Sequence, residues 1–193
     1  MSTLYRSVMA TLILAVICCG IYPLVVTGIG QLLFSDNANG GIILKDGKPI
    51  GAKLIGQGFA KPEYFHGRPS AAGNGYDASN SSGTNLGPTN QKQFDAVKAN
   101  VEAFLKDNPS IKKGEVPADL VTASASGLDP HISPEGAMAQ VERVAQARKM
   151  SPAQLRGLVQ DHVEGPQWGI FGEATVNVLA LNLALDQLKG TSK

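Results

Sequence analysis

The sequence predicts an α+β protein in which one N-terminal transmembrane helix precedes a single extracytoplasmic domain with a small hairpin sheet and three or four helices. Three observations support this fold class. Residues Ser7 to Ser35 carry no charged side chain, two short apolar runs flank Asp46-Gly47, and later segments combine helix caps with apolar residues at helical spacing. The predicted division is an N-terminus over 1–6, a transmembrane helix over 7–34 and a domain over 35–193.

The uncharged N-terminal run is long enough to cross a bilayer. Roughly 20 helical residues span a hydrocarbon core about 30 Å thick, and a lone span must be helical so that its backbone groups bond internally. A cleaved signal peptide has an apolar core of only about 7–15 residues followed by small residues. This run ends on Gln31-Leu32-Leu33-Phe34, so the pattern favours an uncleaved anchor in the cell (inner) membrane.

The flanking charges predict the orientation of the anchor. Arg6 precedes the span, Asp36 follows it, and the next cation is Lys45. Because cationic flanks are retained in the cytoplasm, the N-terminus is expected inside the cell and the domain outside it.

One face of the span has the composition of a helix-packing surface. Small or weakly polar residues at helical spacing allow close approach by a second helix. Pro23 cannot donate to the carbonyl of Cys19, so it should kink the helix or free that carbonyl for a neighbour. An ordinary anchor without a helical partner remains an open alternative. The predicted partner face consists of Thr11, Ala15, Cys19, Tyr22 and Pro23.

The first elements after the span are a hairpin and a long loop. Asp46-Gly47 between apolar runs is a strong turn signal, and Pro49 suggests that the second strand is an edge strand. Residues 66–88 are rich in Gly, Ser, Asn and Ala. A loop of this length in a compact domain is either functional or a disordered insertion, and composition alone leaves both open.

Caps and periodicity predict the helices that follow. Asn90 begins one helix, Ser133-Pro134-Glu135 begins a second, and Ser151 begins a third as a capping box with Gln154. The segment from Ala174 to Leu188 first alternates like a strand and then repeats like a helix, so its state stays open. Predicted apolar stripes contain Phe94, Val97, Val101, Phe104 and Leu105 in the first helix, Val141, Val144 and Ala145 in the second, and Leu155, Leu158 and Val159 in the third.

Charge and motifs exclude several functions. The chain has 17 Lys+Arg against 16 Asp+Glu, so no broad basic field exists for nucleic acid. Gly41 to Pro49 lacks the glycine spacing and the hydroxyl residue of a phosphate-binding loop. The aspartate nucleophile context of a P-type pump and a potassium-filter sequence are also absent from the sequence, and one span cannot enclose an ion path.

A short run, TASASGLDPH, holds the residue types of a catalytic triad: Ser124, Ser126, Asp129 and His131. It lacks a Gly-x-Ser-x-Gly elbow, and Ser, Asp and Pro favour turns for local hydrogen-bonding reasons. A structured turn is therefore preferred, and a membrane-anchored hydrolase is the alternative. The histidines lack metal-ligand spacing, and Arg68 in the Gly/Ser loop is expected to stabilise a turn rather than bind an anion.

Several blocks together resemble one family, the C chain of the bacterial Kdp potassium-transporting ATPase. They are YPLVVTGIGQ (22–31), GAKLIGQGF (51–59), YFHGRPSAA (64–72), ASNSSGTNLGPT (78–89), DLVTASASGLDPHISPEGA (119–137) and VNVLALNLALD (176–186). They keep the order found in the family and reach from the span to near the C-terminus. Since two blocks lie in the Gly/Ser loop, the resemblance disfavours disorder there.

The resemblance implies a non-catalytic subunit of a four-chain complex. Its partners would be a potassium-conducting A chain, an ATP-hydrolysing B chain and a small F chain, together with membrane lipid. The family is described as a catalytic chaperone that raises the ATP affinity of the B chain. An extracytoplasmic domain is separated from cytoplasmic ATP, so we expect assembly and stabilisation, with any ATP effect acting through the catalytic subunit. No residue of this chain is assigned to ATP or to a metal.

Overall fold

The computed structural model describes residues 2–45 and 47–190. It forms two compact units, one up to Ala52 and one from Lys53 onward. Asp46, half of the predicted turn, lies outside the described residues. The units contain seven α-helices and five short strands among these residues. The first unit thus contains the hairpin as well as the apolar helix, and the boundary at residue 35 stays a prediction.

The N-terminal unit begins with a continuous helical segment, Thr3–Leu33, of 31 residues, which is long and apolar enough to cross a membrane. It comprises α1 (Thr3–Ala15), a π-helical stretch (Val16–Ile21) and α2 (Tyr22–Leu33), and the short α3 (Ser35–Ala38) follows. The Tyr22 N–H bonds the Ile17 carbonyl, five residues back. The wider turn directly precedes Pro23, whose nitrogen carries no hydrogen, so the helix adjusts locally at the predicted place.

A two-stranded antiparallel hairpin completes this unit and confirms the prediction. Its strands are β1 (Ile42–Lys45) and β2 (Lys48–Ala52). Gly47 has a φ of 75°, a turn conformation that glycine adopts without a steric penalty. Pro49 pairs with Leu44 just after a register shift between Ile43 and Leu44.

The second unit contains four α-helices, where three or four were predicted, and a sheet that was not predicted as such. The helices are α4 (Gln91–Asp107), α5 (Pro134–Arg148), α6 (Pro152–Asp161) and α7 (Val178–Gly190). The sheet is antiparallel with the order β3-β5-β4, formed by β3 (His131–Ile132), β4 (Val163–Glu164) and β5 (Thr175–Asn177). The two-residue strands β3 and β4 are too short to carry a readable alternation, whereas β5 lies in the segment whose alternation suggested a strand. The ambiguous C-terminal segment contains both: it is a strand up to Asn177 and a helix from Val178 onward.

The core lies among α5, α6 and α7, which confirms the predicted stripes of α5 and α6, whereas the stripe predicted for α4 is not buried. Val141, Val144, Leu155, Val159 and Leu185 are all fully buried. In contrast, α4 has no fully buried residue, and its Phe94 is 57% exposed.

The predicted helix caps are confirmed at two of three starts. The Asn90 side chain accepts from the Lys92 N–H, and the Ser133 hydroxyl accepts from the Gly136 N–H. The capping-box prediction at Ser151 is wrong, because its side chain makes no cap bond, although α6 does begin at Pro152. The proline at the first helical position still supplies the helical φ with which α6 begins.

Candidate functional site

The Gly/Ser-rich loop is tied to the TASASG run by hydrogen bonds. The Ser70 hydroxyl donates to the Gly127 carbonyl at 2.6 Å and accepts from the Tyr76 N–H at 2.7 Å. The Tyr76 hydroxyl donates to the Arg68 carbonyl at 2.6 Å. Further along, the Ser82 N–H bonds the Ser126 carbonyl at 3.0 Å. These bonds contradict the alternative of a disordered insertion.

Glycine permits the close approach of the two loops. Gly127 has a φ of 67°, and a Cβ added there would lie 2.6 Å from both the Ala72 nitrogen and the Ser82 oxygen. A Cβ on Gly83 would lie 2.7 Å from the Ala125 carbonyl oxygen. Gly83 and Gly127 therefore serve backbone contact between the two loops.

Arg68 clamps the same two loops from their other end. Its guanidinium donates to the Asp129 carboxylate at 3.1 Å and to the carbonyls of Thr122 and Ala123 at 3.4 Å each. The Asp129 carboxylate also accepts from the backbone N–H of His131 at 3.0 Å. His131, through its imidazole and backbone N–H, and then Arg68 lower the pKa of Asp129 below its ordinary value, against an opposing effect of burial. Arg68 thus contacts the second loop at three points, and the turn-stabilising role expected for it stays a prediction.

The serines and His131 do not share a hydrogen bond among the described residues. The Ser124 and Ser126 hydroxyls lie 3.5 Å apart, and Ser126 accepts from the Leu128 N–H at 3.1 Å. The His131 ring faces the Asn177 amide at 3.5 Å, and its Nδ1 lies 3.7 Å from Asp129. A nucleophile requires a base within hydrogen-bond reach, so this arrangement does not favour the hydrolase alternative.

Two buried amide side chains hold the segment before Arg68. Asn182 accepts from the Phe65 N–H and donates to the Phe65 carbonyl, both at 2.9 Å. Gln140 does the same for His66, at 2.8 and 3.0 Å. Phe65 is fully buried, so each amide takes the place of a strand partner for backbone groups that water does not reach.

Two arginines of α5 extend this network. Arg143 donates to the carbonyls of Pro62 and Tyr64 at 2.6 and 2.9 Å and to the side chains of Asn108 and Gln140 at 3.1 and 2.7 Å. Burial lowers the pKa of Arg143 from 12.5 to about 10, which leaves it cationic at neutral pH.

Arg148, one turn further along α5, holds the start of the same segment. It donates to the Glu63 carbonyl and to Asp186, both at 2.7 Å, and its guanidinium lies 4.7 Å from the centroid of the Tyr64 ring. The sequence analysis missed Gln140, Asn182 and the buried role of these arginines. Polar residues on the apolar faces of α5 and α7 were the available signal.

A cleft of about 400 Å³ with a mixed polar and apolar lining opens beside this network. Among its lining residues are His66, Arg68, Tyr76, Asp107 and Gln140. Burial, and then the Arg143 cation, lower the pKa of His66 below its usual value, so its ring is neutral at physiological pH. His66 and His162 each contact a backbone carbonyl, at 3.0 and 2.8 Å. No metal-binding cluster is found among the described residues.

The predicted partner face lies on the apolar helix of the first unit. The Thr11 hydroxyl donates to the Ser7 carbonyl at 2.9 Å within its own helix. Cys19 lies in the π-helical stretch, where more residues are needed per turn, so the four-residue spacing from Ala15 no longer stacks the two side chains. Tyr22 begins α2 and Pro23 follows. A contact between this face and another helix stays a prediction.

These features define a class of protein with a membrane-anchoring helix and an α+β unit. In that unit the polar residues of the Gly/Ser-rich loop and of the TASASG run join the two loops to one another. The sequence profile described as "KdpC: K+-transporting ATPase, c chain" matches residues 4–187. The chain belongs to this family and is thus a subunit of a potassium-transporting ATPase.

Individual relatives agree with the family assignment. A potassium-transporting ATPase KdpC subunit of Nitratidesulfovibrio vulgaris is 55% identical over 98% of this chain and 97% of its own length. A protein of the same name from Koribacter versatilis is 55% identical, covering 95% and 93%. A third, from Dechloromonas aromatica, is 53% identical, covering 97% and 99%.

Proposed function

We propose that this chain assembles and stabilises the potassium-conducting and ATP-hydrolysing chains of its complex and carries out no reaction itself. The observation that supports this role most is that the polar side chains of the TASASGLDPH run bond other parts of the chain. Arg68 and Asp129 join the two loops, and the hydroxyls of Ser70 and Ser126 bond neighbouring backbone. Side chains committed to such bonds shape a rigid surface, which is what a docking subunit needs.

We further propose that the unit from Lys53 onward lies outside the cytoplasm. The argument is the charge asymmetry around the apolar helix, with Arg6 before it and Asp36 after it. In this topology the domain is separated from cytoplasmic ATP. Any effect on the ATP affinity of the catalytic chain is then indirect and travels through the complex as a coupling between distant sites.

Co-purification tests the assembly role. The complex is expressed with and without this chain, and a tagged potassium-conducting chain is isolated in mild detergent. We expect the ATP-hydrolysing chain to be recovered in full only when this chain is present. Equal recovery and equal potassium-dependent ATPase activity without it would overturn the assignment.

Cysteine labelling tests the topology. In a background lacking Cys18 and Cys19, Ser110→Cys is expected to react with a membrane-impermeant thiol reagent in intact spheroplasts, because Ser110 is exposed. Ser2→Cys is the matched control and should react only after permeabilisation. Ser110 is a better site than Ser70, whose hydroxyl bonds the Gly127 carbonyl. The reverse labelling pattern would invert the topology.

The hydrolase alternative has its own test. The purified chain and a Ser124→Ala/Ser126→Ala variant are compared on ester and peptide substrates. Turnover by the wild type that disappears in the variant would establish the hydrolase, whereas equal background rates support the accessory role.

A further inference from the structure

The segment between β4 and β5 forms an apolar projection. Gln167 and Phe171 form an isolated antiparallel bridge, and the chain turns between them. At this turn Trp168 is 83% exposed, Ile170 is 77% exposed and Phe171 is 61% exposed. We name residues 167–171 the aromatic tip. Three large apolar side chains within four positions are a concentration that surface residues of a self-contained domain seldom show.

The aromatic tip is held in one shape. The Gln167 N–H donates to the Phe171 carbonyl at 2.8 Å, and the Phe171 N–H donates back to the Gln167 carbonyl at 3.0 Å. The rings of Trp168 and Phe171 meet edge to face, with centroids 6.1 Å apart. Trp168 and Gly169 both have positive φ, of 56° and 75°. An exposed tip that is already ordered loses little conformational freedom when it binds.

The charges around the aromatic tip identify the partner chemistry. From Gly157 to Leu188 the sequence contains no Lys or Arg, whereas it contains Asp161, Glu164, Glu173 and Asp186. Asp186 is paired with Arg148, but Glu164 and Glu173 flank the tip and are exposed. Anionic membrane surfaces attract basic segments, so these carboxylates disfavour lipid and favour a protein socket with a basic rim.

We propose that the aromatic tip is the element with which this subunit docks onto another chain of its potassium-transporting ATPase, inserting Trp168 and Phe171 into an apolar socket edged by Lys or Arg. The proposal rests on the assembly role and names its contact. Trp is the side chain most enriched among residues that dominate binding energy at protein interfaces.

The test uses the complete complex carrying Trp168→Ala/Phe171→Ala. Recovery of the other chains with the tagged variant is expected to fall at least about 10-fold, with an unchanged melting temperature of the isolated full chain. Phe94→Ala is the matched control, since Phe94 is a comparably exposed aromatic on α4 and should leave recovery unchanged. Wild-type recovery in the double variant, or an equal loss in the control, would overturn the proposal.

Photo-crosslinking separates a protein partner from lipid. With p-benzoylphenylalanine in place of Trp168 in native membranes, we expect a crosslink to one polypeptide of the complex, and a crosslink to lipid alone would refute the proposal. Glu164→Lys/Glu173→Lys should weaken the crosslink at least about 3-fold. An unchanged crosslink would refute the proposal that the socket has a basic rim. If the chain without a functional tip still restores assembly, the contact is wrong while the assembly role stands. If assembly does not require the chain at all, the assembly role fails too.

Discussion

Two regions of the second unit depart from the usual distribution of polarity in opposite ways. One is the face of α5 and α7 that contacts the Phe65 segment, and the other is the aromatic tip. In the interior, Gln140, Asn182 and Arg143 are buried and polar. At the tip, Trp168 and Phe171 are apolar and exposed. The interior polar groups are matched by partners in this chain, whereas the tip's apolar surface is not.

This difference separates residues that maintain the fold from residues available to a partner. A buried amide that bonds backbone is costly to remove, since it leaves donors and acceptors without water or protein partners. An exposed aromatic contributes little to the folded state that bears it. Mutations in the two regions should therefore affect different measurements, and four substitutions test this from the largest expected loss of stability to the smallest.

Arg143→Leu should have the largest effect on stability. It removes donors to the Pro62 and Tyr64 carbonyls and to the side chains of Asn108 and Gln140. We expect a loss of about 3 kcal/mol or more in the free energy of unfolding, because several buried acceptors lose their charged donor and each unmatched group costs about 1–3 kcal/mol. Chemical denaturation followed by circular dichroism measures it. Arg156→Leu, at an exposed position of α6, should change stability by less than about 0.5 kcal/mol. Similar losses in both variants would contradict the assigned role of the network.

Asn182→Leu should cost about 2 kcal/mol, because the N–H and the carbonyl of buried Phe65 both lose their partner. Gln187→Leu on the same helix is exposed and serves as the control. The same denaturation experiment applies. A neutral Asn182→Leu would mean that the Phe65 backbone finds other partners.

Asp129→Asn should cost about 1 kcal/mol at neutral pH, since it removes the charge from the Arg68 bond at 3.1 Å. The pKa of Asp129 is lowered from 3.8 in the folded state. Its stabilisation is therefore present above about pH 3.8 and is lost as the pH falls through the folded-state value. Denaturation midpoints of wild type and variant should differ at pH 7 and converge in acid. A constant difference at all pH values would exclude the ionised carboxylate as the cause.

Trp168→Ala should change the free energy of unfolding least, by less than about 0.5 kcal/mol, because the side chain is 83% exposed. Thermal denaturation of the full chain in detergent checks this. A loss above about 1 kcal/mol in the free energy of unfolding would show that the aromatic tip stabilises its own chain. The tip and the buried polar residues would then not differ in the way proposed here.

Sequence reasoning located the elements well and the site in part. The caps at Asn90 and Ser133 marked two helix starts, because capping is a local interaction. Arg68 was expected to stabilise a turn, but its Asp129 partner is 61 residues away and was not paired with it. The sheet of β3, β4 and β5 was missed because β3 and β4 have only two residues each and carry no period, so the alternation near β5 had no visible partner strand.

The sequence by itself determined the apolar helix, the hairpin, the three helices that begin near Asn90, Ser133 and Ser151, and the family, because each depends on local composition, periodicity or an ordered set of motifs. Only the tertiary structure decided which polar residues are buried, since burial depends on what packs over a residue. Gln140 and Asn182 lie 74 and 117 residues from the backbone they hold. No local pattern specifies such a pairing, because it forms only when distant segments fold together.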